Sequence, residues 1–188
     1  MLIIQEILGY FLIGFIGMAG LAIIWLPAWV IFKKKMSFKR FTSYFIFAYI
    51  ILLIFGVTVL GSLAIKITAG HGVIADIHSL NIIPFNFLRE TWAMGERNKI
   101  TQVIANILMF VPLGFITPVA FPKTRRLWKT AVYMAAFSFL IEFIQYFIGR
   151  SADIDDLMLN TLGGILGYLI FYILKNFFKG TNVKERGV

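Results

Sequence analysis

Five long apolar runs, separated by short polar stretches, set the organisation of the chain. From Leu2 to Phe32 almost nothing polar intervenes, and at 1.5 Å per residue this run is long enough to cross a hydrocarbon layer about 30 Å thick. Gln5 and Glu6 belong at one interface, while Trp25, Pro27 and Trp29 mark the other end, where amphipathic rings and a helix breaker are tolerated. Further runs predict helices over about 41–65, 101–121, 131–149 and 157–178, the last beginning at Ile154 or Leu157. Gly56 and Gly61 suit a close neighbour along the second helix, and Pro112 and Pro118 predict kinks in the third. Residues 66–100 mix polar groups with apolar pieces such as Ile82-Ile83-Pro84-Phe85. Pro84 biases Ile83 away from helix, and Phe85, Phe87 and Trp92 suit a lipid–water boundary, so an interfacial or re-entrant segment is expected between helices two and three. The fold class that follows is an all-α membrane protein, a single integral domain over 1–188 forming a bundle of about five transmembrane helices.

Composition agrees. Hydrophobic residues make up 60% of the chain and charged ones only 14%, far from a soluble balance. A net charge of +9 would suit nucleic acid, but its Lys and Arg residues lie in short blocks between apolar runs, which is how topology signals are placed, and no soluble basic domain is left to bind a polynucleotide. The first run has no basic lead and is longer than a signal-peptide core, so no cleaved signal is expected. Blocks at 33–40 and 122–130 and the tail from Lys175 hold thirteen of the 18 cations on one side, against five on the other. The positive-inside rule then expects the N-terminus outside and the C-terminus in the cytoplasm. With no cysteine, disulfides and thiolate chemistry are excluded, leaving carboxylates, amides, His and Arg.

Those groups concentrate in one place. Of nine acidic residues, Glu142, Asp153, Asp155 and Asp156 fall within fifteen positions, in sequence otherwise apolar enough for lipid. A charge at mid-membrane costs roughly 2.5–3.5 kcal/mol on insertion scales, so such groups mark function by default. Glu142 and Gln145 share a helix face, as do Gln102 and Asn106. Helical rise places Glu142 about 12 Å, and Asn160 about 6 Å, inside the outward surface. Asn106, Glu142, Gln145, Asp156 and Asn160 are therefore expected to line an outward polar pocket, with Arg150, Asp153 and Asp155 at its mouth. Glu142 suits an acid or base, Arg150 a bidentate grip on phosphate or carboxylate, and Asp153, Asp155 and Asp156 are oxygen ligands of the kind Mg²⁺, Mn²⁺ or Ca²⁺ prefer. The plainer alternative pairs Arg150 with Glu142 or an Asp and ties helices four and five together. On helix five, Gly163, Gly164 and Gly167 lie within about 100° of Asp156 and Asn160 and would admit another backbone. His71 and His78 with Asp76 form a weak metal pattern, better read as solvated or hydrogen-bonded residues.

Glu142-x-x-Gln145, followed by Gly149-Arg150-Ser151-x-Asp153-x-Asp155-Asp156-x-x-x-Asn160-Thr161-x-Gly163, resembles the signature of the VanZ-like family of bacterial membrane proteins. Asn81-Ile82-Ile83-Pro84-Phe85 and Asn106-Ile107-Leu108-Met109-Phe110-Val111-Pro112-Leu113-Gly114-Phe115 are similar to two further elements of that family, in its order, so the likeness spans 81–167. It implies a multi-pass protein of the bacterial envelope. Its named phenotype is reduced susceptibility to teicoplanin-type glycopeptides, a housekeeping envelope role is the other option, and the likeness supplies no mechanism. Catalytic candidates are Glu142, Arg150, Asp155 and Asp156; substrate-binding candidates are Asn81, Asn106, Gln145 and Asn160. Expected partners are membrane lipid and either a lipid-linked envelope precursor or the antibiotic itself. A phosphate-bearing substrate would need a divalent cation against so many acids. The competing reading is a transporter or a non-enzymatic binding or scaffold protein.

Overall fold

The computed structural model describes residues 2–34, 36–61, 63, 67, 80–86, 97–148 and 150–184, with side chains from residue 14 to 178 except at 97–99. It divides into two compact units, one of Met1–Leu80 with Phe143–Ala152 and the other of Asn81–Glu142 with Asp153–Val188.

The first unit holds helix α1, Leu2–Phe32, and helix α2, Phe38–Phe55. Helix α1 runs through Pro27 and ends five residues beyond it. Helix α2 begins three residues before the expected start, because Phe38 and Phe41 are already packed on indoles: Trp29 lies 5.2 Å from Phe38 and 5.0 Å from Phe41, and Trp25 lies 5.0 Å from Phe41. Tyr49 donates its hydroxyl to the Gly14 carbonyl at 3.2 Å farther along the pair. Helix α2 then widens into a π turn over Gly56–Leu60, a feature with no signature in the apolar pattern.

In the second unit, helix α3, Arg97–Ala120, carries through both Pro112 and Pro118. Each proline removes one N–H from the ladder, leaving the carbonyls of Leu108 and Gly114 without their helical donors. A 3₁₀ turn at Pro122–Thr124 leads into helix α4, Leu127–Phe147, whose last residues belong to the first unit. The buried Thr130 hydroxyl donates to the Thr124 carbonyl at 2.9 Å, which ties that turn to the helix it starts. Helix α5 covers Ile154–Lys184. Phe110, Leu113, Ile116, Met134, Ile141 and Leu159 form the buried apolar centre of this unit.

Helices α3 and α5 meet along glycine. A Cβ at Gly114 would fall on the Gly164 backbone, one at Gly163 on the Ile107 carbonyl, and one at Gly167 on the Val111 carbonyl. The small-residue face expected on the fifth helix is therefore a backbone-to-backbone contact, the arrangement by which membrane helices gain dispersion energy without a hydrophobic driving force.

Among the described residues, five helices are long and apolar enough to cross a membrane. Large apolar side chains stand exposed along them, including Ile23, Ile31, Val132, Phe139 and Ile173. So much apolar surface is untenable in water and matches contact with lipid chains. The molecule is an all-α, multi-pass membrane protein.

Candidate functional site

The acidic run opens helix α5. Asp153, immediately before that helix, accepts the Asp155 N–H at 2.9 Å through Oδ1, as an N-cap carboxylate does. Asp155 and Asp156 then occupy the first turn, where the helix dipole and unpaired N–H groups favour negative charge. Helix initiation thus accounts for why three aspartates stand so close together.

Each of the four acids also engages another part of the second unit. Glu142, on α4 and 6% exposed, accepts the Asp153 N–H at 2.9 Å through Oε2. Asn106, on α3, donates through Nδ2 to Asp156 Oδ1. Asn81 donates through Nδ2 to Asp153 Oδ1 at 3.1 Å, while its own Oδ1 accepts the Ile83 N–H at 3.3 Å. Asn81 and Asp153 belong to a pair of two-residue strands, Leu80–Asn81 and Ala152–Asp153, which extend the chain just before α5. Asp155, 2% exposed, accepts the Phe85 N–H at 2.6 Å through Oδ1. Phe85 has φ 63°, a left-handed conformation uncommon for a bulky residue. The acids thereby hold an extended segment whose apolar side chains, Ile82, Ile83 and Phe85, remain exposed.

The structure thus brings together Asn81, Asn106, Glu142, Asp153, Asp155 and Asp156. Asn160 lies one turn farther along α5, where it donates through Nδ2 to Ser138 Oγ at 2.9 Å. Gln145 and Arg150 belong to the first unit, where both donate to the Thr58 carbonyl, at 3.0 Å and 3.4 Å, within the π turn. Arg150 is thus described donating to a backbone carbonyl. Among the described residues no three His, Asp or Glu side chains are grouped to hold a metal ion. The three aspartates have separate described partners: Asp153 accepts the Asp155 N–H, Asp156 the Asn106 amide and Asp155 the Phe85 N–H. His71, Asp76 and His78, and most of the 66–100 stretch, lie outside the described residues.

Three participants were not singled out in the sequence. Ser138 had a usable signal, since it sits four residues before Glu142 on the same face of α4. The Thr58 carbonyl had none, because a backbone acceptor has no residue identity. The Phe85 N–H had none for the same reason.

Fold and site together define a multi-pass membrane protein with an acidic, hydrogen-bonded layer where one helix begins. The VanZ/LLP1 family pattern matches residues 41–175. The chain belongs to that family. It is 33% identical to Protein VanZ of Enterococcus faecium over 94 residues, which is 50% of this chain and 52% of that relative, so the likeness spans about half the relative's length. No solved structure matches.

Proposed function

We propose that this chain is a bacterial envelope protein that lowers susceptibility to teicoplanin-type glycopeptides by binding the head of a lipid-linked or cell-surface envelope component at the α5 N-terminus. The observation that carries this reading is the composite character of the second unit. Buried carboxylates lie beside an exposed apolar segment, Ile82–Phe85, and an amphiphile with a polar head and an acyl or prenyl tail matches both. Binding is favoured over turnover because each acid has an N–H donor on one oxygen already, as a rigid receptor requires. With four acids in the layer, donor groups such as hydroxyls, amides or an amine are the complementary part of the ligand. The family likeness supports the phenotype.

Expression in a susceptible bacterial host is the direct test. The wild-type chain is expected to raise the inhibitory concentration of teicoplanin, and Glu142→Gln, which keeps an acceptor for the Asp153 N–H while removing charge, to return it to that of the empty host at equal protein level. No rise with the wild-type chain, or full protection by Glu142→Gln, would sink the reading.

Orientation belongs to the same proposal: N-terminus outside, C-terminus in the cytoplasm, acidic layer outward. The chain has no cysteine, so a single introduced thiol reports without background. In intact cells an impermeant maleimide is expected to label Ile83→Cys but not Ser37→Cys. The reverse pattern would invert the topology.

A further inference from the structure

A second polar level lies one helical turn from the acids. On α4, Ser138 precedes Glu142 by four residues; on α5, Asn160 follows Asp156 by four, so the two helices run a ladder of paired polar positions with acids on one rung and neutral oxygens on the next. Ser138 is 0% exposed and Asn160 3%. Their one described bond runs from Asn160 Nδ2 to Ser138 Oγ, and Asn160 Oδ1 is buried with no hydrogen-bond partner among the described residues. A buried acceptor left unmatched costs about 1–3 kcal/mol, which a native core seldom tolerates without a reason. Helical side chains lean toward the N-terminus of their helix, so Asn160 is tilted toward the Asp156 level.

The chemistry of what completes this site is restricted by the groups that line it. It must supply positive charge or a donor, because the orphan is an acceptor and the neighbouring rung is acidic. An amide oxygen and a hydroxyl are neutral, hard ligands, suited to a singly charged ion, whereas a divalent ion would call on several carboxylates.

We propose that Asn160 Oδ1 and Ser138 Oγ, with the acidic level beside them, bind a single Na⁺ ion between α4 and α5. The ion completes the coordination of the orphan oxygen, so it stabilises the α4–α5 pairing on which the acidic layer rests. No antibiotic or lipid enters this inference, and its test is independent of the susceptibility assay.

The full-length protein in detergent is heated in NaCl or in choline chloride at equal ionic strength, and unfolding is followed by intrinsic tryptophan fluorescence. Expected is a midpoint that rises saturably with Na⁺ and stays flat in choline. Ser138→Ala moves the Na⁺ concentration at half-effect upward by about tenfold, the equivalent of about 1.4 kcal/mol of lost coordination. Asn160→Asp, which keeps the shape and adds charge, moves it downward. Comparing the Na⁺ and choline curves of each variant separates ion binding from any general loss of stability. Identical curves in Na⁺ and choline overturn the proposal and leave the oxygen to a water molecule or an internal donor. A Na⁺ effect unchanged in both Ser138→Ala and Asn160→Asp overturns it as well, since the ion would then sit elsewhere.

Discussion

Alanine at Gly167 or Gly163 is expected to leave little folded protein, and leucine at either position none. A Cβ at Gly167 would fall on the Val111 carbonyl with the Gly114 and Phe115 backbone close behind, and one at Gly163 on the Ile107 carbonyl. Backbone on both sides has no rotamer by which to yield, so α3 and α5 must separate, opening a gap along the packed face that includes Phe110 and Leu113. Overpacking in cores costs typically about 1–3 kcal/mol where side chains can adjust. Here the upper end is the starting point, against a total stability on the order of 5–15 kcal/mol. A third glycine extends the set and a fourth serves as control. At Gly164 a Cβ would meet Cγ and Cβ of the buried Met134, the root of that side chain rather than its flexible end, so Gly164→Ala is expected to be comparably damaging. At Gly17 nothing lies within 4 Å, and Gly17→Ala should be close to neutral. The check is the monodisperse yield in detergent and the unfolding midpoint of the four alanine variants. Equal midpoints for Gly167→Ala and Gly17→Ala would mean that the α3–α5 contact does not hold the second unit together.

Those glycines were readable in advance because helical spacing alone puts Gly163, Gly164 and Gly167 on the face of Asp156 and Asn160. The same arithmetic of depth grouped Asn106 with Glu142, Gln145, Asp156 and Asn160, without saying which would pair; in the structure Asn106 donates to Asp156. What the apolar pattern could not reveal is the direction in which long or terminal groups turn. Glu142 and Gln145 share a face of α4, yet one accepts from the Asp153 backbone and the other donates to the Thr58 carbonyl, because a three-residue step along a helix also moves a side chain about 4.5 Å along the axis to a different neighbour. Helix ends drifted for a related reason: Phe38 and Leu127 join helices on packing and turn geometry, which hydropathy does not report. In the aspartate run residue type was visible and partner was not. Asp153 and Asp155 accept backbone N–H groups that begin a helix and fasten a loop, and backbone donors carry no letter in a sequence.

Asp155→Ala is expected to release the 81–86 segment while leaving the helices folded. Asp155 Oδ1 accepts the Phe85 N–H at 2.6 Å from a nearly fully buried position at the start of α5, and hydrogen bonds to a charged group contribute about 1.5–3 kcal/mol. That contribution opposes the cost of holding Phe85 at φ 63°, of order 1–3 kcal/mol for a residue with a Cβ. The two are of similar size, so removing the carboxylate tips the balance and the phenylalanine returns to negative φ, carrying Ile82 and Ile83 with it. Asp155→Asn retains an acceptor without the charge and should fall between. Phe85→Gly tests the other side, because glycine takes positive φ without penalty and should keep the segment in place, even though it removes an exposed ring. Maleimide labelling of Ile83→Cys in the otherwise cysteine-free chain reads out the position, with the tryptophan unfolding curve as the control for global stability. The expected order of labelling change is Asp155→Ala largest, Asp155→Asn intermediate and Phe85→Gly smallest. Unchanged labelling in Asp155→Ala would mean that Asn81, through Asp153 and the Ile83 N–H, suffices to hold the segment, and that the charge at the head of α5 is kept for the ligand alone.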